Sequence, residues 1–173
     1  MKNTLLLSVI MVLSFFGLQA QNEETANYYN EVQQYSLIYP SFWEVEEDEE
    51  NETTTLYVPL NKGENIYKQL QISVARWEDG DLYEFLEQTF SESEMTNLYP
   101  DITILDLGED ETKENQNHCF EMSYMMGEEK VTVLYYLEKK EDLIYLILAS
   151  SPQSEYAEYK KQYLRIIDSL RIR

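Results

Sequence analysis

The chain holds a single cysteine, Cys119, and a single histidine, His118, among 173 residues. One cysteine closes no internal disulfide, so the fold rests on its apolar core. One His and one Cys cannot complete a tetrahedral zinc site, and neither H-E-x-x-H nor C-x-x-C occurs. The two residues are neighbours. On a strand, neighbouring side chains point to opposite faces, which keeps thiol and imidazole apart. A G-x-S-x-G elbow is absent, and no glycine-rich loop leads into a helix to cradle phosphate. No catalytic residue is assigned, and the chain is read as a non-enzyme.

Positive charge is also scarce. Lys and Arg number 13 against 33 Asp and Glu, for a net charge of −20. Such a surface repels nucleic acid and anionic lipid. The partners it suits are cations or a protein with a basic patch. Proline and glycine are few, four and five residues. Pro40, Pro59, Pro100 and Pro152 fall at the edges of expected elements, and Gly63, Gly80, Gly108 and Gly127 in turn-like contexts.

Long apolar runs are missing except at the start. Lys2 followed by the apolar stretch Leu5 to Leu18 and the small-residue site ending at Ala20 reads as a secretory signal peptide over residues 1–20. The stretch is too short to span a membrane stably, and no later run approaches that length. The mature chain is thus expected in the periplasm or outside the cell, without membrane insertion. Residues 21–32, polar and without period, read as a linker. Residues 33–173 read as one domain, long enough to bury about 70% of its unfolded surface.

Within that domain the hydrophobic period changes twice. Strands are expected at Tyr35–Tyr39, Phe42–Val45, Thr53–Val58 and Leu70–Arg76, with the acidic run 46–52 as a solvated hairpin tip and Trp43 as a core plug. Asp81 with Glu84 three residues on forms a capping-box pattern, and Leu82, Phe85, Leu86 and Thr89 follow helical spacing towards Asn97. Four strands follow, at Ile102–Leu107, His118–Met126, Val131–Glu138 and Leu143–Ala149. The last is apolar on both faces, so it belongs at the centre of a sheet. Ser151-Pro152 reads as the cap and first position of a closing helix striped by Tyr156, Tyr159, Tyr163, Ile166, Ile167 and Leu170. Short links between strands imply antiparallel pairing. A doubly apolar strand needs cover on both sides. The expected class is α+β, an α/β/α sandwich with a largely antiparallel central sheet and helices on both faces.

Tyr39, Pro40, Ser41 and Trp43 at the first strand end resemble the opening of PsbP-like domains. The pair VTVLYYLEKKEDLIYLILAS, followed by SPQSEYAEYKKQYLRIIDSLRI, is similar to the final hairpin and closing helix of that superfamily. The resemblance covers roughly residues 34–172. It implies an α/β/α sandwich, a role in binding other proteins, and no shared catalytic motif. The function it implies is that of a secreted or periplasmic, non-enzymatic binding or accessory protein.

Two alternatives come from the acids. Oxygen ligands on a flexible tip suit calcium, which makes Glu46, Glu47, Asp48, Glu49 and Glu50 candidate ligands of a calcium-dependent docking loop. The run lacks the spaced Asp/Asn and central Gly of an EF-hand. No other cofactor is expected. Carboxylate pairs could also serve a hydrolase, given two in one cleft at a fixed separation. The tyrosines, 15 in all, sit mostly at core-facing spacings.

Overall fold

Ten strands and two helices make up the described part of a computed structural model that covers residues 24–78, 80–91, 95, 99, 101–106 and 116–173. The signal-peptide reading of residues 1–20 lies outside these described residues. Strands β1 (Thr25–Asn30), β2 (Tyr35–Pro40) and β10 (Arg171–Ile172) form a small sheet in the order β1-β2-β10. A seven-stranded sheet takes β3 (Glu44–Asp48), β4 (Thr53–Val58), β5 (Lys68–Arg76), β6 (Thr103–Asp106), β7 (Asn117–Met126), β8 (Glu129–Lys140) and β9 (Leu143–Pro152). Its order is β3-β4-β5-β9-β8-β7-β6, and every pairing in both sheets is antiparallel. The helices are α1 (Leu82–Thr89) and α2 (Gln153–Asp168).

β9 sits in the middle of the large sheet, as its two apolar faces require. Its side chains alternate between two cores. Tyr145, Ile147 and Ala149 join Trp43, Leu56, Leu70 and Ile72 and the α2 residues Tyr156, Tyr163, Ile166 and Ile167. Ile144 joins Phe120, Met122, Val133 and Leu137 and the α1 residues Leu82 and Phe85. Tyr35 and Leu37 bring the small sheet into the first of these cores. Trp43 is only 3% exposed, which bears out its reading as a core plug.

Turn chemistry fixes the hairpins. Met126 pairs with Glu129, leaving the two-residue turn Gly127-Glu128, and Gly127 takes φ 65°. That left-handed turn suits the twist of the flanking strands and strains a side chain. Helix α1 starts on the expected capping box. The Glu84 amide donates to Asp81 Oδ1 at 2.9 Å, and the Asp81 amide donates to Glu84 Oε2 at 3.2 Å. Asp81→Ala is expected to cost about 1 kcal/mol in urea unfolding. A loss within error of zero would show that packing alone holds α1. The helix ends earlier than expected, at Thr89 with Phe90 as its C-cap, and most of the stretch from there to Asn97 lies outside the described residues.

Three expectations need correction. The linker 21–32 contains β1, which pairs residue for residue with β2 from Thr25↔Pro40 to Asn30↔Tyr35. It is an edge strand buried on one side only, with Ala26, Tyr28 and Asn30 turned inward, so its composition stays polar. The second strand starts at Glu44, after Phe42 and Trp43, and runs on through Glu46, Glu47 and Asp48, so that only residues 49–52 of the acidic run turn. Acids tolerate that strand because it is the outermost of its sheet. Finally, Ser151 does not cap α2. It pairs with Thr132 inside the sheet and is fully buried, so Pro152 takes the N-cap position without a side-chain bond.

Candidate functional site

Two surface features could engage a ligand or partner. They lie at opposite edges of the large sheet. The first is the acidic β3–β4 hairpin. Together with the β1–β2 turn it bounds a groove of about 460 Å³ lined by Tyr29–Gln33 and by Glu47, Asp48, Glu49 and Glu52–Thr54. A hydroxyl network ties the two hairpins together beneath it. The Tyr28 hydroxyl donates to Glu47 Oε1 at 2.7 Å and lies 3.1 Å from Thr54 Oγ1. The Tyr35 hydroxyl donates to the same Thr54 oxygen at 2.7 Å. Burial is the main cause that pushes both tyrosine pKa values up, so both phenols stay protonated.

The five candidate metal ligands do not converge. Glu47, Asp48 and Glu49 line the groove, whereas Glu46 and Glu50 do not. Glu46 falls on the opposite face of β3 from Glu47. Asp48 is already engaged. Its carboxylate accepts from Asn51 Nδ2 at 2.7 Å and from the Glu50 and Asn51 amides at 3.0 and 3.1 Å. Those bonds, the Asn51 side chain first, hold its pKa below the usual carboxylate range. They shape a turn rather than an open ligand set. Among the described residues, no three His, Cys, Asp or Glu side chains gather to hold a metal ion.

The second feature is an apolar cleft of about 440 Å³ between α1 and the β6–β7 edge. Leu86, Phe90, Met95, Ile104, Phe120 and Met122 form its walls and floor, and Tyr83, Glu87, Ser91 and His118 complete the lining. Sequence reasoning missed it. Its apolar residues read as core in the sequence, and α1 has eight residues, of which only Leu82 and Phe85 are buried. The face of α1 towards β7 is therefore left partly open.

His118 lines this cleft, while Cys119 packs against the opposite core. The two side chains stand on different faces of the sheet, as strand geometry requires, and form no thiol–imidazole pair. Trp77 sits edge-on to Phe85, with ring centroids 5.3 Å apart. Tyr83 belongs to the cleft.

No helix among the described residues is long and apolar enough to cross a membrane. No protein-family profile and no curated protein matches the chain. Solved structures do. Cyanobacterial PsbP (CyanoP) from Synechocystis superposes with a TM-score of 0.62 at 10% identity, over 90% of this chain and 96% of that one. LpqN of Mycobacterium tuberculosis, described as involved in cell envelope biogenesis, gives 0.57 at 12% identity, over 89% and 87%. PA94 of Pseudomonas aeruginosa, of unknown function, gives 0.53 at 7% identity, over 87% and 98%. At such identities the likeness concerns architecture alone: the chain has a PsbP-like fold.

Proposed function

We propose that the protein is a secreted or periplasmic, non-enzymatic accessory protein that binds a protein partner carrying a basic patch. We place the docking surface on the acidic β3–β4 hairpin. One observation carries the reading: the acids of this hairpin stand exposed on the outermost strand of the sheet, in a chain of net charge −20. Complementary charge of this kind steers association and selects partners. The secreted location rests on the leader sequence. The architecture in this reading is a three-layered α/β/α sandwich, supported by the two cores into which α1 and α2 feed.

Neither a hydrolase nor a calcium switch is favoured. The hydroxyl and amide donors around Glu47 and Asp48 already occupy those carboxylates. The test is capture from envelope extract with the purified protein and with the triple variant Glu46→Lys, Glu49→Lys and Glu50→Lys. These three residues are exposed, and lysine keeps the sheet edge charged, which guards against strand-to-strand aggregation. The expected result is a stoichiometric partner whose association with the variant is slower by about tenfold or more. Capture unchanged in the variant would remove the hairpin from the reading. A requirement for added calcium would replace it with the calcium-dependent alternative.

A further inference from the structure

The electrostatic reading gives the apolar cleft no task. Its floor is built firmly. Phe120 lies stacked on Tyr135, with ring centroids 4.7 Å apart and planes 5° from parallel. Phe90 meets both rings edge-on at 5.3 Å. Met122 and Met95 complete the base, 1% and 4% exposed, and thioethers adapt to the shape of an apolar guest. The walls are less covered. Leu86 and Phe90 are half-buried, and Ile104 keeps 45% of its surface in water. A volume of about 440 Å³ lies within the usual span of small-molecule sites, about 300–1,000 Å³. Apolar walls held open to water over a rigid aromatic floor are the arrangement that a ligand tail would cover.

The rim decides the head group. Among the described residues, no lysine or arginine lines the cleft, and Glu87 is the one carboxylate that does. The whole chain adds a net charge of −20. A carboxylate or phosphate head would meet repulsion from both. An ammonium head would meet attraction. We propose that this cleft binds a cationic amphiphile, its alkyl tail on Phe90, Phe120 and Met122 and its ammonium head at Glu87. The site is independent of the acidic hairpin, which lies at the other edge of the sheet.

Displacement of Nile red by decylammonium, decan-1-ol and decanoate tests this with three heads on one tail. The expected order is decylammonium tightest, decanol next and decanoate at least about tenfold weaker than decylammonium. Ile104→Trp fills the mouth of the cleft and is expected to weaken all three, while far-ultraviolet circular dichroism reports an unchanged fold. Glu87→Gln is expected to narrow the gap between decylammonium and decanoate, whereas Glu50→Gln on the distant hairpin leaves that gap unchanged. Decanoate binding as tightly as decylammonium would overturn the proposal, as would displacement curves that Ile104→Trp does not move. Absence of saturable Nile red binding would also overturn it. Capture of a protein partner through the hairpin is expected to be the same in Ile104→Trp, so either reading can fail without the other.

Discussion

Trp43→Ala is expected to lower stability by about 3–5 kcal/mol in urea unfolding, the range of large aromatic truncations in cores. Trp43 stands in the turn after β2, and its amide donates to the Pro40 carbonyl at 3.0 Å, which helps to aim the side chain into the core. Its ring stands edge-on to Tyr163 of α2, with centroids 6.0 Å apart. Tyr163 is fully buried and donates to the Ser150 carbonyl at 2.6 Å. One indole thus joins the end of β2, the central strand and the closing helix. Truncation leaves a cavity that none of these elements can close alone. The indole Nε1 has no hydrogen-bond partner among the described residues, so Trp43→Phe gives up packing volume but no polar contact. Its expected cost is about 1–2 kcal/mol. Equal losses in the two variants would mean that volume at this position is not what stabilises the fold.

Lys68→Ala is expected to cost about 2 kcal/mol. The Lys68 side chain is 2% exposed at the start of β5, and its Nζ lies 2.7 Å from Glu64 Oε1 and 3.4 Å from Glu155 Oε2. The lysine thereby ties the loop before β5 to the first turn of α2. Burial alone would lower its pKa, but hydrogen bonds and charge from Glu64 and Glu155 outweigh burial and raise it. The carboxylates keep 28% and 40% of their side-chain surface in water, so the loss falls below the full cost of an orphaned buried charge. Lys68→Met keeps most of the apolar stem and is expected to lose less than the alanine variant. The pair also sets a pH dependence. The Lys68 hydrogen bond, helped by the Asn61 amide and side chain, lowers the Glu64 pKa from its ordinary 4.5 to about 2. A depressed carboxyl stabilises the fold above its unfolded pKa and stops doing so as pH falls through its folded value. Stability is therefore expected to drop between about pH 4.5 and pH 2, and Glu64→Gln to flatten that segment of the profile. A profile in which Glu64→Gln changes nothing would rule out this ion pair as a source of acid sensitivity.

What could be read from the sequence follows the range of the interactions involved. The α1 cap needs only Asp81 and Glu84, three residues apart, and it forms as expected. β9 declares its central place because Leu143–Ala149 is apolar on both faces. The stripe on α2 is legible for the same reason. Tyr156, Tyr163, Ile166 and Ile167 recur at helical spacing and are all buried. β1 gave no such signal. Its inward residues are an alanine, a tyrosine and an asparagine, and the tyrosine and asparagine turn into a hydrogen-bond network shared with Thr54. Lys68 could not be placed either, since Glu155 lies 87 positions further along the chain. The acidic run was legible as exposed but not as strand, because Thr53–Thr55 of the partner strand decides its pairing. The cleft is a tertiary gap. It lies where the short α1 meets the β6–β7 edge, and Phe120 and Met122 look the same in sequence with or without it.

Salt dependence of capture addresses the central claim most directly. The purified protein and the triple lysine variant of the hairpin are used as baits for envelope extract at low and at high ionic strength. The account predicts a partner held at low salt by the unaltered protein, released at high salt, and poorly held by the variant at either. A partner retained equally by both baits at high salt would contradict a docking surface made of hairpin charge.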